Sequence, residues 1–131
     1  MTVRQKGTHP LGVVLADDSE VVRQRLRTVI SGLPDVLIVG EAADADQALA
    51  RIREHAPDVV VLDMFMPGGG GTRVLQELAG ADQRPIVLVF TNFAYPEYRD
   101  ACLQLGADHF LDKSADLERL LSILGQLAQA S

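Results

Sequence analysis

Apolar residues cluster in short runs that recur at similar intervals along the chain. Five such runs, the first four rich in Val and Ile and the last one weaker, span residues 13–16, 36–39, 59–62, 86–90 and 107–111. Because the first four do not alternate apolar with polar positions, they predict strands covered on both faces, which is typical of parallel sheets.

The segments between these runs have the spacing of amphipathic helices. After the first run, Val22, Leu26 and Val29 recur at helical intervals behind Ser19, a good N-cap residue. The second gap begins behind Asp44 in the same way, and leucines form a single stripe along residues 117–127. Five strand-helix repeats predict an α/β fold, the flavodoxin-like (βα)5 three-layer sandwich with a parallel sheet of order 2-1-3-4-5.

The length and composition fit one domain and limit its partners. With 131 residues, 47% hydrophobic and 23% charged, the chain is expected to fold around a core of its own. We expect a flexible tail over residues 1–10 and a single domain over 11–131 with no output domain. The net charge of −6 argues against direct nucleic-acid binding. No apolar stretch approaches a membrane span and Cys102 is the one cysteine, so we expect a cytoplasmic protein.

Acidic residues collect at the predicted ends of the strands. Asp17 and Asp18 follow the first strand and Asp63 follows the third. Ligands of open parallel sheets bind at this edge, where the strand order reverses. Two carboxylates about 4 Å apart repel each other by about 4 kcal/mol at an effective dielectric constant of about 20. Such a cluster therefore calls for a cation, and its oxygen ligands favour Mg²⁺.

Two further residues complete a set suited to phosphoryl transfer. Lys113 follows the fifth strand and can neutralise a phosphoryl oxygen, while Thr91, after the fourth strand, offers a hydroxyl group. A carboxylate nucleophile, a metal, a lysine and a hydroxyl are the components of such a site, and Asp63 is the predicted nucleophile.

With these residues in order along the chain, the sequence resembles the receiver domains of two-component response regulators. The resemblance covers residues 11 to about 128. Its motifs are the acidic pair Asp17-Asp18, the segment 63–68 (DMFMPG), Thr91, Phe110 and Lys113. The segment 39–42 (VGEA) further resembles receivers that often carry helix-turn-helix output domains.

The resemblance implies a role for each matching residue. Asp63 would accept a phosphoryl group from a histidine kinase or phosphotransfer protein, and the protein would act on itself rather than on an external substrate. Mg²⁺ would be held by Asp18, Asp63 and the backbone carbonyl of Phe65, with Asp17 acting through water. Thr91 and Lys113 would bind phosphoryl oxygens. Phe110 would then change rotamer and remodel the face made by helix 4, strand 5 and helix 5, through which a downstream protein or a second copy would bind.

The chain departs from the family pattern at three places. Ser114 follows Lys113 where the family usually has a proline after a cis peptide, so the loop either keeps that bond or takes another shape. Four glycines, at 68–71, predict a mobile loop beside Asp63. Phe65 and Phe93 flank the path of an attacking water, so we expect slow hydrolysis of the phosphoryl group.

Three alternative functions remain open at this point. The chain could be the receiver fragment of a longer helix-turn-helix regulator. It could instead be a receiver-like interaction module that is never phosphorylated, although retention of the five site residues argues against this. A nucleotide or flavin binder of the same topology is disfavoured, because no glycine-rich phosphate loop follows the first strand and Asp17 and Asp18 would repel a phosphate.

Overall fold

The computed structural model describes residues 9–130, a parallel sheet of five strands with helices on both faces. The elements in chain order are β1 (Leu11–Ala16), α1 (Glu20–Ile30), β2 (Val36–Ala42), α2 (Ala45–His55), β3 (Val59–Leu62), α3 (Gly70–Leu78), β4 (Ile86–Thr91), α4 (Pro96–Gln104), β5 (His109–Asp112) and α5 (Leu117–Gln129). The strand order is β2-β1-β3-β4-β5. This confirms the predicted fold and sheet order. The tail predicted over 1–10 lies outside the described residues except for its last two positions.

The core consists of two apolar layers, one on each face of the sheet. Alternate residues of β1 belong to opposite layers. Val14 packs with α2, α3 and α4, whereas Val13 packs with α1 and α5. Both residues are fully buried, as expected for a strand covered on both sides. Each helix presents its apolar stripe to one layer, and in α5 the buried residues are Leu120, Leu124 and Ala128.

Local sequence signals set where the helices next to the acidic residues begin. The Ser19 side chain accepts a hydrogen bond from the N–H of Val22 at the start of α1, and Asp44 caps α2 through the N–H of Gln47. Both N-caps match the sequence prediction. The helices therefore start close to the strand ends and hold the intervening turns in place.

The loop at the glycine segment 68–71 is shorter than expected, because α3 already begins at Gly70. Gly68, Gly69 and Gly70 have positive φ angles, which favour glycine. A Cβ atom at Gly71 would lie 2.8 Å from the carbonyl oxygen of Asp63, so the backbone passes too close there for any side chain. The four glycines thus allow a tight connection between β3 and α3, and the predicted mobility of this segment stays a prediction.

Candidate functional site

Three carboxylates converge at the carboxyl edge of the sheet, where Asp17 and Asp18 follow β1 and Asp63 follows β3. These two strands are hydrogen-bonded neighbours. The N–H of Asp63 donates to the carbonyl of Ala16 at 2.9 Å, which extends the strand pairing one step past the end of β3. One oxygen from each carboxylate lies within 4.8 Å of the others. The sheet topology therefore brings together the acidic residues that the sequence predicted.

Lys113 reaches this cluster from β5, two strands away from β3. Its backbone N–H donates to the carbonyl of Thr91 at 2.9 Å, which continues the β4–β5 pairing. Its side-chain Nζ lies 2.5 Å from Oδ2 of Asp17 and 3.1 Å from Oδ2 of Asp63. The Lys113 side chain is only 9% exposed, so the ammonium group bridges two buried carboxylates.

Burial and charge act against each other on the pKa values of this triad. Burial raises the pKa of Asp63 above its usual value, and the charge of Asp17 adds to this, while Lys113 opposes it. Burial lowers the pKa of Lys113, but its bonds and charge interactions with Asp17 and Asp63 outweigh burial, so its pKa is raised. The ammonium group is therefore held charged beside a carboxylate that is costly to keep ionised.

Thr91 and Phe110 form a second group of predicted site residues beside this pocket. Thr91 ends β4 and is fully buried, and its hydroxyl oxygen accepts a hydrogen bond from the N–H of Phe93 at 3.2 Å. Thr91 and the half-buried Phe110 both line a cavity of about 150 Å³ next to α4. The cavity gives space next to both side chains, which is what a rotamer change of Phe110 requires.

Exposed aromatic side chains border the acidic pocket on the side of α4. The rings of Phe65 and Phe93 are 4.5 Å apart between centroids, and Phe65 also contacts Tyr98. Phe65 and Phe93 are 45% and 44% exposed, which is high for phenylalanine. The N–H of Phe65 donates to Oδ1 of Asp63 at 3.3 Å, whereas its carbonyl as a metal ligand stays a prediction.

The loop after Lys113 does without a cis peptide, since residues 9–130 contain none. Asp112 instead accepts hydrogen bonds from the N–H and the hydroxyl of Ser114, at 2.8 and 2.7 Å. The same two contacts hold the pKa of Asp112 below its usual value. The peptide bond between Lys113 and Ser114 is therefore trans, and the Lys113 side chain still reaches into the pocket.

The donor set of the cluster fits a hard divalent cation. Three carboxylates offer oxygen ligands within a few ångströms of one another, and Asp18 is exposed, which leaves a path from solvent. The Lys113 ammonium makes an ion pair with two of these carboxylates, so the pocket already accommodates one positive charge. Asp17, Asp18 and Asp63 are the residues that would hold Mg²⁺.

One charged pair beside the pocket was not predicted from the sequence. Arg23 of α1 donates to the backbone carbonyl of Asp17 and to the carboxylate of Glu41 in β2. The available signal was Glu41 itself, a charged residue within an otherwise apolar strand. Its partner lies 18 positions away along the chain, and no helical or strand spacing indicates such a contact.

Comparisons with known proteins agree with this architecture. The family model described as "Response regulator receiver domain" matches residues 13–125. The chain is 38% identical over 121 residues to protein-glutamate methylesterase/protein-glutamine glutaminase 5 of Myxococcus xanthus, covering 90% of this chain and 35% of that protein. It is 33% identical over 119 residues to the nitrate/nitrite response regulator protein NarL of Escherichia coli, covering 91% of this chain and 55% of that protein.

One solved structure extends the comparison to a metal-containing complex. A chain of the CheX–CheY–BeF3–Mg²⁺ complex from Borrelia burgdorferi superposes with a TM-score of 0.77 and 26% identity. The match covers 88% of this chain and 90% of that one.

The described part of the chain contains no helix with the length and hydropathy of a membrane span.

Proposed function

The chain belongs to the response regulator receiver domains, and from that we propose that it receives a phosphoryl group on Asp63. The convergence of Asp63 with two further carboxylates and the Lys113 ammonium in one pocket supports this most strongly. The donor is a histidine kinase or a phosphotransfer protein. Residues 11–131 act as one receiver unit in the cytoplasm. Measuring the mass of the protein that native cells produce shows whether an output domain belongs to the same chain.

In the proposed reaction, a carboxylate oxygen of Asp63 attacks the phosphorus atom of a phosphohistidine. A P–O bond forms, the P–N bond breaks, and the imidazole leaves after taking up a proton. Lys113 is already 3.1 Å from Oδ2 of Asp63, so it can neutralise the phosphoryl oxygens without a large movement. Asp17, Asp18 and Asp63 would hold Mg²⁺, which when bound would supply further neutralisation of the transferring group. Thr91 donates its hydroxyl to another phosphoryl oxygen.

The output of this reaction is a change of surface. When Thr91 turns toward the phosphoryl group, the cavity that it lines with Phe110 is free to take the Phe110 ring. This rearrangement alters the face made by α4, β5 and α5. We propose that the partner on this face is a downstream protein or a second copy of the chain, with no direct contact to nucleic acid.

The first test is intact-mass analysis after incubation with Mg²⁺ and an acyl phosphate. The wild-type protein is expected to gain the mass of one phosphoryl group, and Asp63→Asn is expected to gain none. Asp35→Asn is the matched control, because Asp35 is exposed, lies at the opposite edge of the sheet and has a φ of 62° that Asn also tolerates. A wild-type protein without added mass would favour the interaction module that is never phosphorylated.

Mg²⁺ is expected to raise the melting temperature of the protein by about 4 °C at ten times its dissociation constant, since it binds only the folded cluster. Asp18→Ala should abolish this response. The same change should stabilise the metal-free protein by about 1 kcal/mol, because it removes one of three crowded negative charges. Differential scanning calorimetry with Mg²⁺ or EDTA measures both effects. A melting temperature indifferent to millimolar Mg²⁺ would contradict the metal site.

Phe65 and Phe93 are expected to slow the loss of the phosphoryl group by excluding water from Asp63. Replacing either ring with alanine should speed dephosphorylation several-fold, as followed by intact mass over time. Tyr95→Ala serves as the control, because Tyr95 is also an exposed aromatic of this surface but contacts Tyr98 rather than Phe65. If all variants lose the phosphoryl group at the same rate, Phe65 and Phe93 do not control the rate of dephosphorylation.

A further inference from the structure

Arg23 is an arginine with an unusually buried side chain in the first turns of α1. Its side chain is 12% exposed, and its guanidinium group makes contacts to three different segments. Nε donates to Oε1 of Glu41 in β2 at 3.1 Å, Nη1 donates to the backbone carbonyl of Asp17, and Nη2 pairs with Glu20. The side chain thus links α1, β2 and the turn that follows β1.

Glu41 is placed to hold this guanidinium by the register of the sheet. In the β1–β2 pairing Glu41 lies beside Leu15, whose side chain packs in the layer with α1 and α5. Neighbouring residues in register point to the same face, so Glu41 also faces α1. There its carboxylate accepts hydrogen bonds from Arg23 and from Arg27, the latter at 2.6 Å. A charged residue in this strand is therefore explained by a specific partner.

The carbonyl that Arg23 contacts belongs to the peptide group between Asp17 and Asp18. Fixing that oxygen restrains the plane of the peptide, and with it the position of the Asp18 Cα atom from which the side chain leaves the backbone. The Asp17 carboxylate has its own supports, since it accepts from Lys113 and from the N–H of Ser19 at 2.9 Å. Asp18 is exposed, so its orientation depends more on the backbone.

We propose that Arg23 is a positioning residue for divalent-cation binding, holding the Asp17–Asp18 peptide so that the Asp18 carboxylate faces the cluster. Glu41 orients Arg23 in turn. The inference rests on the proposed function, because it takes the carboxylate cluster as the site of the cation. It also requires that Arg23 in α1 and Glu41 in β2, which are not metal ligands themselves, help to set the affinity of the site for the cation.

Charge and geometry predict opposite effects of removing Arg23. A positive charge close to the cluster repels a cation, so its loss would by itself tighten Mg²⁺ binding. Loss of the hydrogen bond to the Asp17 carbonyl would loosen the turn and weaken binding instead. Substitution of groups that orient metal ligands typically lowers metal affinity by about tenfold or more. The sign of the change therefore distinguishes positioning from simple charge.

Three variants separate these contributions. Arg23→Gln removes the charge and the fork of donors, whereas Arg23→Lys keeps the charge but replaces the planar fork with a single ammonium group. Arg27→Gln is the matched control, because Arg27 also pairs with Glu20 and Glu41 but has no contact with the Asp17 carbonyl. The Mg²⁺ dissociation constant is measured by isothermal titration calorimetry with no phosphodonor present, and urea unfolding in EDTA measures the stability of each variant.

Both Arg23 variants are expected to bind Mg²⁺ about tenfold more weakly than the wild type. Arg27→Gln should bind Mg²⁺ equally well or slightly more tightly. Arg23→Lys with unchanged affinity, or Arg27→Gln weakened as much as Arg23→Lys, would overturn the inference while leaving the proposed function intact. A wild-type protein that binds no Mg²⁺ would overturn both, so the two failures are distinguishable.

Discussion

Replacing Lys113 with methionine is expected to lower the free energy of unfolding of the metal-free protein by about 3 kcal/mol near neutral pH. The ammonium group bridges Asp17 and Asp63, and all three side chains are less than a tenth exposed. Methionine keeps much of the length of the lysine stem but leaves two buried carboxylates facing each other. Removing one partner of a buried ion pair is costly because the remaining charge has no compensation.

The loss of stability in Lys113→Met should depend on pH with a definite sign. Burial already raises the pKa of Asp63 in the folded protein, and Lys113 counteracts this. Without Lys113 the pKa of Asp63 rises further, so the folded state binds a proton more readily than the unfolded state. Stability then falls as the pH rises through that pKa, and the variant should recover stability in mildly acidic buffer.

Urea unfolding followed by circular dichroism measures this effect in EDTA and in millimolar Mg²⁺. Mg²⁺ should restore part of the lost stability, because it supplies positive charge to the same carboxylates. The double variant with Asp63→Asn should lose less stability than Lys113→Met alone. Arg99→Met is the control for loss of a cation at an exposed pair, where the expected change is about 0.5 kcal/mol or less. A Lys113→Met protein as stable as the Arg99 control would refute the proposed charge balance.

The positions of Asp17, Asp63 and Lys113 could be predicted together because they depend only on topology. Each follows an apolar run, and parallel strands bring their carboxyl ends to the same edge of the sheet. The N-caps Ser19 and Asp44 were equally accessible, since capping depends on a few consecutive residues. Local signals combined with the predicted strand order thus predict which side chains meet.

Contacts that depend on exact side-chain geometry could not be predicted in the same way. The pairing of Arg23 with Glu41 joins a helix to a strand through long side chains, and neither periodicity nor capping specifies it. The sequence also left two shapes open at Ser114, and the choice follows from Asp112 accepting both of its donors. At the glycine segment, the residue type suggested mobility, whereas the close approach at Gly71 shows a steric requirement.

Replacing Gly71 with alanine is the second change with a large expected effect, on both stability and phosphorylation. A Cβ atom at Gly71 would lie 2.7 Å from Sδ and 2.9 Å from Cα of Met64, and 2.8 Å from the carbonyl oxygen of Asp63. Two of these neighbours are backbone atoms, which cannot move aside as a side chain can. We expect a loss of about 2 kcal/mol in the free energy of unfolding, the usual size for forcing extra volume into a packed site.

The same clash should slow phosphorylation, because the atoms it displaces carry the nucleophile. Gly71 lies in the first turn of α3 and its N–H donates to the Met64 carbonyl at 3.1 Å, so moving this turn moves Asp63 relative to Lys113. A shift of about 1 Å can lower the rate of a positioned reaction by about a hundredfold, and we expect at least a tenfold decrease with an acyl phosphate donor.

Gly125→Ala is the matched control, since a Cβ atom at that position in α5 would have no neighbour within 4 Å beyond the backbone of its own helix and the adjacent residues. This change should stabilise the protein by about 1 kcal/mol through helix propensity and leave the phosphorylation rate unchanged. Intact mass over time gives the rates and urea unfolding gives the stabilities. If Gly71→Ala loses stability but keeps the wild-type rate, the clash is relieved by movement of α3 alone. If it keeps both, the close approach of the two backbones is not a constraint on the site.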